Sequence, residues 1–211
     1  MTAQEMRQSV CAWARRSYEE KLFAGTSGNL SVFDREAGLM AITPSSVPYE
    51  GMVPEDVVLL RLDGTAAEGR YRPSSEWRMH AAIYRARPRA GAVVHTHSPY
   101  AASFAVNRRE IPLALIEMVL FLGGNVPLAD FAVPGTWEMG DAAVRAMAGR
   151  TACLLASHGA VAVGETLEQA HLRAVYLEDA AKICALALAS GGPVVTLTAE
   201  EAAAMPRPED A

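Results

Sequence analysis

The chain has 211 residues, 51% of them hydrophobic and 20% charged, a composition that fits a folded domain with a sizeable core and excludes a mainly disordered one. A formal charge of −5 offers no basic face for nucleic acid, and no apolar run approaches the roughly 20 residues of a membrane helix. Cys11, Cys153 and Cys184 form neither a disulfide framework nor a CxxC pair, and residues 1–16 lack the apolar run of a secretory signal, so a reducing, cytoplasmic setting is expected.

Met6, Val10, Trp13 and Ala14 are spaced for one buried face, which predicts an amphipathic helix over residues 3–23. Gly25 and Gly28 end it. A strand over 29–33, a polar turn at 34–38 and a strand over 39–43 then read as an antiparallel hairpin. Pro44, Pro48, Gly51 and Pro54 mark a long loop before a third strand at 57–62, closed by Asp63 and Gly64. The arginines between Arg70 and Arg89, interrupted by Glu76, read as a solvated face. Ser75 is expected to cap a helix over 76–87 that Pro88 stops. Residues 92–97 are short, apolar and β-branched, a buried strand. Pro99 opens another helix, and a segment punctuated by glycine and proline follows through Gly135. A helix over 136–148 and a strand over 152–156 come next, then a tight turn at Gly159 and a strand over 161–163. The longest helix runs over 166–190 with Thr166 as its cap, and residues 198–211 read as a short helix and a flexible tail. No repeat or linker divides the chain. A single domain over 1–211 is expected, of α/β class, with three α/β/α layers around a central mixed, largely antiparallel sheet.

The chemistry concentrates in a few residues. Of five histidines, His95 and His97 lie in the strand segment Val93-Val94-His95-Thr96-His97, where alternation points both imidazoles to one side. Two imidazoles converging from one rigid strand suit a metal, and His158, at the end of the next apolar strand, would complete the three protein ligands of a catalytic zinc. Glu76, at a helix N-terminus, is either a carboxylate that the helix dipole stabilises or a general base and displaceable fourth ligand. His80, four residues on, reads as a helix-surface contact, and His171 as structural. Gly25 to Ser31, Thr43 to Ser46 and Pro73 to Ser75 are loops rich in neutral donors, able to grip a phosphorylated substrate beside the metal.

These segments together resemble the class II aldolase/adducin family, most closely its L-fuculose-1-phosphate aldolase branch, over about residues 5 to 190. The resemblance is carried, in order, by Gly25-Thr26-Ser27-Gly28-Asn29-Leu30-Ser31, Ile42-Thr43-Pro44-Ser45-Ser46-Val47-Pro48-Tyr49-Glu50, Pro73-Ser74-Ser75-Glu76-Trp77-Arg78, Ala92-Val93-Val94-His95-Thr96-His97, Gly123-Gly124-Asn125-Val126-Pro127 and His158-Gly159. It implies a homotetramer with active sites between subunits and one Zn²⁺ per subunit held by His95, His97 and His158. It further implies Glu76 as the catalytic glutamate and a substrate phosphate held by Gly28, Asn29, Ser45, Ser46, Ser74 and Ser75. The reaction implied is reversible cleavage of a ketose 1-phosphate, fuculose-like or 5-deoxypentulose-like, to dihydroxyacetone phosphate and an aldehyde.

The chain departs from the fuculose branch at three places. Glu117 stands where that branch carries a proton-donating tyrosine from a neighbouring subunit, and is read either as an acid/base group or as a structural residue at a subunit contact. Residues 198–211 contain no counterpart of a second, C-terminal tyrosine, and Ser46 replaces a glycine. A metal-dependent sugar-phosphate epimerase, decarboxylase or dehydratase is the alternative reading. A non-catalytic, adducin-like binding module is disfavoured by the retained histidines.

Overall fold

Alternating apolar strands close into an eight-stranded sheet in the computed structural model, which describes residues 1–211. The expected hairpin is present as β1 (Asn29–Asp34) and β2 (Leu39–Ile42). β3 (Val58–Leu60) pairs with β2, and β4 (Ala66–Glu68) adds a short exposed edge. On its other side β1 pairs with β5 (Ala92–Thr96), followed by β8 (Gly159–Gly164), β7 (Ala152–Leu155) and β6 (Leu128–Ala129). Only the β6–β7 pairing is parallel, so the sheet is mixed and largely antiparallel as expected.

Residue alternation divides the core into two. Leu30, Val32, Ala41, Leu59, Val94 and Leu154 face α1 (Ala3–Glu19), α3 (Pro99–Val106) and α5 (Leu167–Ala189). Met40, Ile42, Val58, Leu60, Val93 and Cys153 face α2 (Trp77–Ala86) and α4 (Trp137–Ala146). The result is the three-layer α/β/α arrangement. α1 stops at Glu19 instead of continuing to residue 23, because Lys21 takes a left-handed φ of 64° and the chain turns to bury Leu22 and Phe23. A second difference lies in the segment before Gly135, where residues Met118–Leu122 form one π-helical turn that Gly123 ends with a φ of 82°.

The end of the chain also differs from the expected flexible tail. α6 (Ala199–Ala203) forms behind its Thr198 cap, and the following residues return to the pole of the sheet where β5 begins. There Arg173 donates two bonds to the Asp210 carboxylate, at 2.6 and 2.7 Å, and Arg87 donates to the Asp210 carbonyl at 2.5 Å. Arg87 and Arg89, read from sequence as part of a solvated basic face, thus anchor this segment. Burial alone would raise the Asp210 carboxyl, but Arg173 outweighs it and holds the pKa below the ordinary value of 3.8. The stabilisation is therefore complete above pH 3.8 and is lost as the pH falls through the lower folded value. Asp210→Asn is expected to lower Tm at pH 7 by a few degrees, about 2–4 °C per kcal/mol in a chain of this size. The loss stays below the roughly 3–5 kcal/mol of a fully trapped unpaired charge, because the segment can lift and hydrate Arg173. Thermal melts of the two proteins should converge as the pH is lowered past 3.8.

Candidate active site

β5 runs antiparallel to both β1 and β8, so its C-terminal end lies beside the first residues of those two strands. Asn29 pairs with His95 and Ala160 with Thr96 at this pole. His95 faces α2, and His97, one residue beyond the strand, is on the same side, as alternation predicts. His158 sits on the β7–β8 turn, where Ser157 adopts a left-handed φ of 56°. The next residue can only be glycine: a Cβ at Gly159 would lie 2.2 Å from the Thr96 carbonyl oxygen. That close approach holds His158 over the end of β5. Glu76 occupies the N-cap of α2, with its backbone N–H bonded to Ser74 Oγ at 3.3 Å. The expected cap, Ser75, is exposed and makes no capping bond; Ser74, two residues before Glu76, does the local bonding.

The three imidazoles and the Glu76 carboxylate converge, with one ligand atom from each lying within 4.8 Å of the others. His95 Nε2 is 2.9 Å from His97 Nε2 and 3.1 Å from Glu76 Oε2; His158 Nε2 is 3.1 Å from Glu76 Oε1. A tetrahedral centre with bonds near 2.0–2.1 Å needs ligand atoms roughly 3.3 Å apart, so the spacing fits a bound cation. The donor chemistry fits as well. His95 Nδ1–H donates to the Ala160 carbonyl at 2.9 Å, which turns Nε2 toward the cluster. Burial would lower this ring's pKa, but the Glu76 carboxylate outweighs it and raises it, so a bound cation would take the place of the Nε2 proton. Glu76 Oε1 is buried without a hydrogen-bond partner, an unsatisfied acceptor that a cation would satisfy. Burial pushes the imidazolium form of His97 down to about 3, with His95 and His158 adding to the effect, so this ring is a neutral ligand. Burial would raise Glu76, but His95, His158 and the Asn29 amide together outweigh it and keep it a carboxylate.

A polar cleft of about 270 Å³ opens over this cluster. The segment Thr26 to Asn29 forms one wall, Pro44 to Ser46 a second, and Ser74 to Glu76 a third; Pro134, His97 and His158 complete it. Backbone bonds hold two of these walls together: Ser74 N–H donates to the Thr43 carbonyl at 3.0 Å and Ser45 N–H to the Arg72 carbonyl at 2.9 Å. Every candidate phosphate residue, Gly28, Asn29, Ser45, Ser46, Ser74 and Ser75, lines the cleft, and no lysine or arginine does. Ser46 has a φ of 61°, a left-handed conformation that favours glycine.

Some expectations are not met within one chain. Glu117 is exposed at the start of the π-helical turn and lines no part of the cleft. His80 is no surface contact: it is fully buried, hydrogen-bonded to Asn29 Oδ1 at 2.6 Å and to Ser31 Oγ at 2.7 Å. Ser31 in turn meets Tyr84 OH at 2.7 Å. A sequence signal for this group exists. Ser31 is a polar residue in an apolar strand, two positions from Asn29 and so on the same face, and His80 and Tyr84 share one helix face at i, i+4. His171 packs on Trp13 with ring centroids 4.9 Å apart, in keeping with a structural role.

Comparison with known proteins agrees with this geometry. The family described as "Class II Aldolase and Adducin N-terminal domain" matches residues 8–185. The 5-deoxy-D-ribulose 1-phosphate aldolase of Bacillus thuringiensis serovar kurstaki is 42% identical over 183 residues, covering 87% of this chain and 85% of the relative. The L-fuculose phosphate aldolase of Escherichia coli K12 is 39% identical over 180 residues, covering 85% of this chain and 82% of the relative. Among solved structures, an L-fuculose 1-phosphate aldolase superposes with a TM-score of 0.91 at 38% identity, over 97% of this chain and 95% of its own.

Proposed function

Because the chain belongs to the class II aldolase and adducin family, we propose that it is a metal-dependent aldolase that reversibly cleaves a ketose 1-phosphate to dihydroxyacetone phosphate and an aldehyde. The observation that carries this reading is the convergence of His95, His97 and His158 with a buried carboxylate under a cleft of neutral donors. The three imidazoles would hold the metal, with Glu76 as a displaceable fourth ligand, and the nitrogen-rich set favours zinc. When bound, the cation supplies Lewis-acid stabilisation of the negative charge that builds on the substrate oxygens.

The remaining work falls to this chain. In condensation, the Glu76 carboxylate removes a proton from the hydroxymethyl carbon of dihydroxyacetone phosphate. The electron pair released forms the new C–C bond to the aldehyde carbon, and the aldehyde oxygen takes up a proton. In cleavage the C–C bond breaks, that hydroxyl proton leaves, and Glu76 returns its proton to carbon. The loops at Gly28, Asn29, Ser45, Ser46, Ser74 and Ser75 orient the phosphate through hydrogen bonds. An acid role for Glu117 would need a neighbouring subunit to bring it to the cleft, as a homotetramer with sites between subunits would; a structural role at a subunit contact is the other reading. Exposed Leu172, Ile183 and Leu186 on α5 offer apolar surface for assembly. Three buried, unpaired cysteines suit a reducing cytoplasm.

The relatives named for 5-deoxyribulose 1-phosphate and fuculose phosphate define the test. A panel of ketose 1-phosphates is incubated with the metal-loaded protein, and dihydroxyacetone phosphate is read by a coupled reductase. Release from a 5-deoxypentulose or 6-deoxyhexulose 1-phosphate is expected; epimer or CO₂ without triose phosphate would replace aldol cleavage by the epimerase or decarboxylase reading.

A further inference from the structure

The buried group around His80 is a chain of hydrogen bonds with one sense. Asn29 Nδ2 donates to Glu76 Oε2 at 2.7 Å, so Asn29 Oδ1 faces His80 and can only accept. The bond of 2.6 Å between Asn29 Oδ1 and His80 Nε2 therefore requires the proton on Nε2. Burial, with His95 adding to it, pushes the His80 imidazolium down to about 3, so the ring is neutral and its Nδ1 carries a lone pair. Ser31 O–H donates to that lone pair at 2.7 Å, which leaves Tyr84 OH as the donor toward Ser31, its one proton shared between Oγ at 2.7 Å and the carbonyl at 3.0 Å. Ser31, His80 and Tyr84 are each fully buried and Asn29 is 5% exposed, so water does not compete for these bonds.

Every donor in the chain points toward Glu76. We propose that His80 is a positioning residue: set in its Nε2–H tautomer by Ser31 and Tyr84, it fixes the orientation of the Asn29 amide, which holds Glu76 against the three imidazoles. This inference rests on the reading of Glu76 as the group that serves the metal and the reacting carbon. If the Asn29 amide turned over, its carbonyl oxygen would face the Glu76 carboxylate, and two acceptors would repel in a dry site. His80 acts against that reversal without touching the cluster.

The substitutions His80→Gln, His80→Asn and His80→Leu separate positioning from packing. Gln can present an amide N–H where Nε2–H stood, whereas Asn reaches only toward Ser31. In folded, metal-loaded protein, His80→Leu and His80→Asn are expected to weaken zinc binding, measured by chelator competition, by about 10–100-fold, with kcat falling by a similar factor at little-changed KM. His80→Gln is expected to recover most of both. Imidazole ¹⁵N spectra of the wild-type enzyme should show His80 as the Nε2–H tautomer, and Ser31→Ala, a milder change, should shift its Nδ1 resonance. An Nδ1–H tautomer, or a folded His80→Leu protein with wild-type zinc affinity, would overturn the proposal. Equal behaviour of the Gln and Asn variants would assign His80 to packing alone. If zinc affinity follows the expected order while the wild type cleaves no ketose phosphate, the aldolase reading falls and the positioning role stands.

Discussion

Glu76→Gln is expected to lower kcat for aldol cleavage by about 10²–10⁴-fold, the usual contribution of a positioned general base, with the protein still folded and still holding metal. The substitution keeps the size of a side chain that is only 6% exposed and removes the one group in the cleft, apart from the imidazoles that would hold the metal, able to take a proton from carbon. The glutamine carbonyl can accept the Asn29 amide bond that Oε2 now accepts at 2.7 Å, so the cap of α2 and the hydrogen-bond chain behind it stay in place. Metal is then retained on His95, His97 and His158. Steady-state cleavage beside metal content per chain is the measurement; full activity in this variant would remove Glu76 from the mechanism.

His97→Ala has a different signature. His97 is half-buried and its side chain makes no hydrogen bond except to its neighbour His95 Nε2, at 2.9 Å, so truncating it leaves the β5 ladder and the backbone bond to Leu22 intact and deletes a candidate ligand. Bound metal should fall from near one per chain to near zero, with cleavage lost alongside it. The stability data should agree. A ligand at 100 times its Kd stabilises the folded state by about 2.7 kcal/mol, so a chelator should lower the wild-type Tm by several degrees and leave the variant unmoved. A variant that still binds metal tightly would show that the cluster is not the metal site.

The cluster of imidazoles was legible in the sequence because strand alternation is a strict rule. Once residues 92–97 are read as a strand, His95 and His97 must share a side, and His158 follows at the end of a second apolar strand. What alternation could not supply was the partner strand: the β5–β8 register, which puts Ala160 opposite Thr96, is a tertiary fact. The same limit hid His80. Its i, i+4 spacing from Glu76 is satisfied equally by a surface contact and by a buried bond to β1, and only the packing of α2 on that strand decides between them. β4 and β6 escaped for lack of signal, since one is an exposed edge of three residues and the other spans two. Ser75 looked like the better cap, but the demands of the cluster place Glu76 there with no side-chain capping bond of its own. The C-terminal segment has the polar composition of a free end; the buried guanidinium of Arg173 that captures Asp210 lies on a helix far away in sequence.

The loops that would hold the phosphate offer hydroxyls, amides and backbone, with no lysine or arginine, on a chain of net charge −5. A cation on the three imidazoles would be the one positive charge this chain sets before a phosphorylated sugar, and the phosphate itself would be gripped by contacts too short for dissolved ions to interrupt. Salt then screens the repulsion between a net-negative chain and an anionic substrate without loosening the grip on the phosphate: kcat/KM should hold or rise, and not fall, between dilute buffer and physiological salt, where the Debye length is about 8 Å.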